Sequence, residues 1–195
     1  MDKTELSRCL TLLKTYEKPK IRYEQYQTDV RTAVDFLLLA DSLFGFKSKR
    51  VADFGCGNGI LGLGAGLLGA EEVHLYDIDE NLLEIGIENC RTLGLKNCVF
   101  LQEDFFDVKM RYDLVISNPP FGIQTNFSLI SFIKKLRQVS DRFIFIYKDN
   151  EAVRKTAKEE GLLASRIGEI RLKRTERFHK KEFIRLPVLA VYHKE

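Results

Sequence analysis

The chain has 195 residues, 45% of them hydrophobic and 30% charged, with a formal net charge of +3. This is enough to build one well-cored domain, expected over 1–195, and leaves no room for a second of ordinary size. Four cysteines at 9, 56, 90 and 98 form no Cys-x-x-Cys pair and no ligand-like group with His74, His179 or His193, so no metal site is expected. No basic leader precedes an apolar core and no apolar run reaches membrane length, which points to a cytoplasmic or nuclear protein.

In chain order, the pattern predicts a helix near 3–14, a turn at Glu17-Lys18-Pro19-Lys20, a loop to Thr28, and a helix over 29–44. Strands and helices then alternate: strand 50–54, helix 60–69, strand 72–77, helix 79–94, strand 97–102, strand 112–117, helix 126–138, strand 142–147 and helix 149–161. Alternation of this kind predicts an α/β fold, a mostly parallel sheet with helices on both faces. Two further strand-like runs, 166–173 and 184–192, have no helix between them and suggest an antiparallel hairpin at one edge.

The first strand runs directly into Gly55-Cys56-Gly57-Asn58-Gly59 and then into a helix. Strand, glycine turn and helix form the entrance to a nucleotide crevice, because glycine lets the backbone approach a ligand closely. The spacing is G-x-G-x-G rather than the dinucleotide pattern G-x-G-x-x-G, which favours a nucleoside without phosphates. Asp53 ends the first strand, Asp77 ends the second, and Asp104 with Phe105 follows the third. S-adenosylmethionine suits this set: Asp53 for the methionine portion, Asp77 for the ribose hydroxyls, Asp104 for the adenine amine and Phe105 for its face. Any one of these acids alone reads more readily as a helix cap or a solvated loop charge, whereas three at successive strand ends with the glycine turn read as a site.

After the fourth strand stands Asn118-Pro119-Pro120-Phe121. Two prolines exclude a helix interior or a central strand, so the tetrad is a stiff turn leaving a strand's carboxyl end. It can offer an amide oxygen, a backbone carbonyl and an aromatic ring to a planar amine, with Phe121 expected to stack on the base. Arg171 to Lys181 holds six Lys or Arg against one Glu, and Lys18, Lys20 and Arg22 form a second basic cluster. Arg174, Phe178, His179, Lys180 and Lys181, with Lys18 and Lys20, are therefore candidate contacts to a nucleic-acid phosphate backbone, although a solvated hairpin face has the same composition and charge does not separate RNA from DNA.

These motifs resemble the class I S-adenosylmethionine-dependent methyltransferases that modify exocyclic amines. A narrower resemblance lies in Tyr16-Glu17-Lys18-Pro19-Lys20, Glu24-Gln25-Tyr26-Gln27-Thr28, the NPPF tetrad with Gly122, and Phe178-His179-Lys180-Lys181. Together they are similar to the small-subunit rRNA adenine-N6 methyltransferases of eukaryotes and their archaeal relatives. The resemblance implies a Rossmann-like fold of seven strands, with 1–28 as an amino-terminal helix and a lid segment. Cofactor contacts are implied at Gln25, Thr28, Gly55, Gly57, Asn58, Ile60, Asp77, Asp104 and Phe105, and the catalytic role at Asn118 to Phe121. It also implies a small zinc-binding activator protein as partner, for which the apolar strand Cys98 to Leu101 is the place to look. Asn58 stands where some relatives have cysteine, Ile123 where threonine is common, and Tyr147-Lys148 where a His-Lys pair occurs. Guanine-N2 methylation, methylation of DNA or of protein glutamine, and a non-catalytic role in RNA-bound assembly remain as alternatives.

Overall fold

Residues 1–16, 20, 25, 27–122, 127–173 and 183–193 are described by a computed structural model. The chain enters through α1 (Lys3–Thr11), where the Asp2 side chain accepts from Glu5 N, and α2 (Val30–Phe44), where Asp29 accepts from Thr32 N. Such caps satisfy amides that have no partner within the helix. Then follow β1 (Arg50–Phe54), α3 (Ile60–Leu67), β2 (Glu72–Asp77), α4 (Glu80–Thr92), β3 (Cys98–Gln102), β4 (Leu114–Ser117), α5 (Leu129–Val139), β5 (Phe143–Lys148), α6 (Glu151–Glu159), β6 (Leu163–Lys173) and β7 (Phe183–His193).

The seven strands form one sheet in the order β3-β2-β1-β4-β5-β7-β6. β1 to β5 are parallel, and β7 runs antiparallel between β5 and β6. The expected hairpin is present, with the later strand inserted inward. Burial explains the choice: Val188, Leu189 and Ala190 are fully enclosed, whereas Leu163 at the start of β6 is half exposed. A bulge between Arg166 and Gly168 interrupts the β6 register, and the strand begins at Leu163, three residues before the expected start. α5 likewise begins later than the expected residue 126, because the Ser128 hydroxyl caps it by accepting from Ser131 N.

Strand alternation assigns the helices to faces. Asp53, Leu75 and Phe100 are in register, and against them lie Gly62 of α3 and Gly86 of α4. Phe54, Ser117 and Phe145 share the opposite face, where Phe132 of α5 meets the Phe145 ring edge-on at 5.4 Å. A sheet covered on both sides buries near-continuous apolar strands, as β4 and β5 are. The chain turns left from β1 to β2 and β3, then right through β4 and β5, so the strand order reverses between β1 and β4. A crevice opens there, beyond the strands' carboxyl ends.

Candidate active site

A cavity of about 360 Å³ fills that crevice. Its wall includes every residue expected to touch the cofactor, from Gln25 and Thr28 through the glycine turn to Asp77, Asp104 and Phe105, together with Asn118 and Pro120. Segments far apart in sequence converge because four successive strands all end at this rim.

Asp53 is 1% exposed. Its Oδ2 accepts from Gly62 N at 2.8 Å, while Oδ1 is buried without a hydrogen-bond partner. Burial, reinforced by Asp77 and only partly offset by the Gly62 amide, raises its pKa to about 7. A buried, unsatisfied carboxylate oxygen at a cavity wall fits a cationic ligand end, which the ammonium of S-adenosylmethionine supplies. Asp77 accepts from Gly57 N and from Asp79 N, both at 2.9 Å, and burial raises its pKa despite these bonds. Each oxygen keeps a further lone pair for a ribose hydroxyl. Gly57 has φ +57°, the left-handed conformation that aims its amide at Asp77. Asp104 accepts from Phe106 N at 2.9 Å, and Phe105 stacks on Phe54 with centroids 5.7 Å apart.

The described residues between Lys14 and Thr28 form a strap along this wall. The Lys14 carbonyl accepts from Asn58 Nδ2 at 2.9 Å and from Asn89 Nδ2 at 3.1 Å. Further along, Lys20 Nζ donates to Asp79 Oδ1 at 2.8 Å and Gln25 Nε2 to Asp79 Oδ2 at 2.7 Å. Asp79 is buried, which pushes its pKa up, but the bonds from Lys20, Gln25 and Asn81 outweigh that and hold it at about 2. The Lys20 ammonium thus pins the strap to the N-terminus of α4. Lys18, Arg22, Arg174, Phe178, His179, Lys180 and Lys181 lie outside the described residues.

The strap's far end reaches the proline turn, where Asn118 Nδ2 donates to Thr28 Oγ1 at 2.8 Å. Ser117 Oγ donates to the Phe54 carbonyl at 2.6 Å, tying the turn's base to β1. Lys148, at the end of β5, donates to the Phe121 carbonyl at 2.7 Å. The Phe121 ring is 1% exposed and sits edge-on to Tyr147 at 5.2 Å. The ring is thus enclosed in this structure, and the cavity wall nearby is formed by Pro120 and Phe127.

Sequence reading missed Tyr16 and Phe127, which line the cavity, and Asp79, Asn89 and Lys148, which hold its wall. Asp79 carried a signal as the cap of α4, whereas the others reach the site only through tertiary contacts. Among the described residues no cluster of three His, Cys, Asp or Glu is placed to hold a metal, and no helix is long and apolar enough to cross a membrane.

A reversing parallel sheet, a glycine turn without a phosphate cradle, and acids closing successive strands over one hollow together define the class I methyltransferase fold, whose methyl donor is S-adenosylmethionine. The chain belongs to the methyltransferase small domain family, whose model matches residues 26–140. It is 32% identical to the rRNA N(6)-adenosine-methyltransferase METTL5 of Danio rerio, over 94% of each chain. Against metl-5 of Caenorhabditis elegans, also an rRNA N(6)-adenosine-methyltransferase, identity is 30% over 95% of this chain and 94% of the relative. The crystal structure of PH1948 from Pyrococcus horikoshii superposes with a TM-score of 0.83 at 34% identity, covering 98% of this chain and 97% of that one.

Proposed function

We propose that this protein transfers a methyl group from S-adenosylmethionine to the N6 nitrogen of an adenosine in structured RNA, and that the RNA is small-subunit rRNA. The observation that carries the reading is that Asn118 shares one cavity with Asp53 and Asp77, so an acceptor amine and a methyl donor can meet. Adenine is favoured over guanine by the full-length similarity to two rRNA N(6)-adenosine-methyltransferases.

When bound, the cofactor supplies a methyl group already activated on a sulfonium. Asp53 holds the cationic amino-acid end, Asp77 accepts from the ribose, and Asp104 with Phe105 receives the adenine. Asn118 and the Pro119 carbonyl each accept one hydrogen of the target amine. The bond from Asn118 Nδ2 to Thr28 commits the donor end of the amide to the strap and turns the carbonyl end to the substrate. Two acceptors favour a pyramidal nitrogen and stabilise the positive charge that grows on it. Holding the amine in line is worth roughly 7 to 11 kcal/mol, so placement accounts for most of the catalysis. The proton then leaves the nitrogen for water or a neighbouring carbonyl, with no strong base required.

The target base must be unpaired or flipped at a cost of a few kcal/mol, which suits a loop of structured RNA. The basic residues of 171–181, with Lys18, are the proposed backbone contacts. A small zinc-binding activator is the proposed protein partner. In its favour, β3 is an edge strand with Val99 40% exposed, a template that a partner strand can extend. The cytoplasm, or the nucleus in a eukaryote, is the proposed compartment, in keeping with four unpaired thiols.

Incubation with labelled methyl donor and ribosomal subunits, followed by digestion to nucleosides, tests the reading. N6-methyladenosine is the expected product; N2-methylguanosine, labelled protein or no transfer would overturn it. Asn118→Ala is expected to lose transfer while still binding the cofactor.

A further inference from the structure

Most side-chain amides on the cavity wall are already committed to holding it. Gln25 Nε2 donates to Asp79, Asn58 Nδ2 to the Lys14 carbonyl and Asn118 Nδ2 to Thr28. Gln27 adjoins Thr28, at the strap end that Asn118 holds. Tyr16 is half-buried and lines the same cavity, and among the described residues nothing accepts a hydrogen bond from its hydroxyl.

The strap's anchor explains the position of this ring. Lys14, two residues earlier, is held by Asn58 of the glycine turn and by Asn89 of α4. Gly57, adjoining Asn58, aims its amide at Asp77. Tyr16 is thereby carried to the Asp77 end of the cavity, close enough for that carboxylate to act on its phenol. Burial first, and then Asp77, push the phenol pKa up, so the group stays protonated and serves as a donor. A sugar hydroxyl gives one hydrogen and can take another, so a donor beside an acceptor is the pair that satisfies it. Asp77 supplies only the accepting half, with its two oxygens steadied by the Gly57 and Asp79 amides.

We infer that the Tyr16 hydroxyl is a further cofactor contact, donating to a ribose hydroxyl oxygen whose hydrogen Asp77 accepts. The strap thus reads the sugar edge directly, and a ribonucleoside is selected over its deoxy counterpart from two sides. This inference rests on the placement of the ribose at Asp77 and is independent of which base is methylated.

Calorimetric titration with S-adenosylhomocysteine and with its 2′-deoxy and 3′-deoxy analogues tests it. Tyr16→Phe keeps the ring and removes the oxygen, so its melting temperature without ligand is expected to match that of the wild type. Its Kd for S-adenosylhomocysteine is expected to rise about 3- to 10-fold, as loss of one neutral hydrogen bond does. For at least one deoxy analogue, wild type and Tyr16→Phe are expected to bind alike, because the accepting oxygen is gone. A side chain that merely packs in the wall would give the same ratio of affinities for all three ligands. That result would overturn the contact, as would an unchanged Kd for S-adenosylhomocysteine. Asp77→Asn in the same titration separates the contact from the placement of the ribose. Unchanged affinity in Asp77→Asn would sink that placement and the role of Tyr16 with it. Weakened affinity there, beside an unchanged Tyr16→Phe, would sink the Tyr16 contact alone.

Discussion

Asn89 and Lys14, 75 residues apart, form a two-way hydrogen bond: Lys14 N donates to Asn89 Oδ1 at 2.7 Å, and Asn89 Nδ2 returns a bond to the Lys14 carbonyl. The same amide nitrogen also donates to the Asn58 carbonyl at 2.9 Å. One fully buried side chain on α4 thus joins the strap to the glycine turn.

Replacing it tests whether the strap serves the cofactor. Asn89→Leu leaves the Lys14 amide without its partner, at about 1 to 3 kcal/mol, while the Lys14 carbonyl keeps only its bond from Asn58 Nδ2. The expected result is a lower melting temperature and an S-adenosylmethionine Kd raised about ten-fold, a change equal to about 1.4 kcal/mol. Calorimetric titration reads the second effect directly. An unchanged Kd beside a lowered melting temperature would reduce Asn89 to a purely structural role.

Asp53 makes the site sensitive to pH. Its carboxyl titrates at about 7 in the folded protein against 3.8 for an unperturbed aspartate. Between these values the native state holds a proton that the unfolded state has lost, so stability falls as pH rises from about 4 to about 7 and then levels off. The shift corresponds to on the order of 4 kcal/mol. A cationic ligand favours the ionised form, so S-adenosylmethionine binding below pH 7 should release a proton, and affinity should tighten as pH approaches 7. Binding heats at pH 6 in two buffers of different ionisation enthalpy will differ if this holds. Asp53→Asn should abolish the difference, stabilise the free protein above pH 7 and weaken cofactor binding.

Lys148 fixes the exit of the proline turn from a neighbouring strand. A hydrogen bond from a charged group is worth about 1.5 to 3 kcal/mol, and its loss lets the turn shift relative to the methyl donor. Lys148→Met is expected to lower kcat about 10- to 100-fold while leaving S-adenosylmethionine affinity as it was. Single-turnover rates with prebound cofactor separate this from a defect in RNA binding. A variant with weakened cofactor binding and normal kcat would contradict it.

Most of the cofactor half of the cavity was legible in the sequence because its signals are local. Gly55 to Gly59 announces a turn through residues that alone tolerate left-handed backbone, and Asp53, Asp77 and Asp104 stand where strands end. The acceptor half was less legible. Asn118 could be read from its proline neighbours, but Phe121 beside it promised an exposed ring that packing against Tyr147 encloses. Nothing local distinguishes Phe121 from Phe127, since both follow the same turn and both are apolar. The order β5-β7-β6 was half visible: Val188 to Val191 is an unbroken apolar run, the pattern of a strand buried on both faces.

By itself, then, the amino-acid order determined the alternation of strand and helix, the glycine bend, the acids at the rim and the proline turn. Each of these follows from backbone constraint within a few neighbouring residues. Only the tertiary structure decided that Asn89 holds Lys14, that Lys148 holds Phe121 and that Phe127 rather than Phe121 reaches the cavity. These contacts join segments brought together by the sheet's strand order, and side chains find such partners only after the strands have closed around a common core.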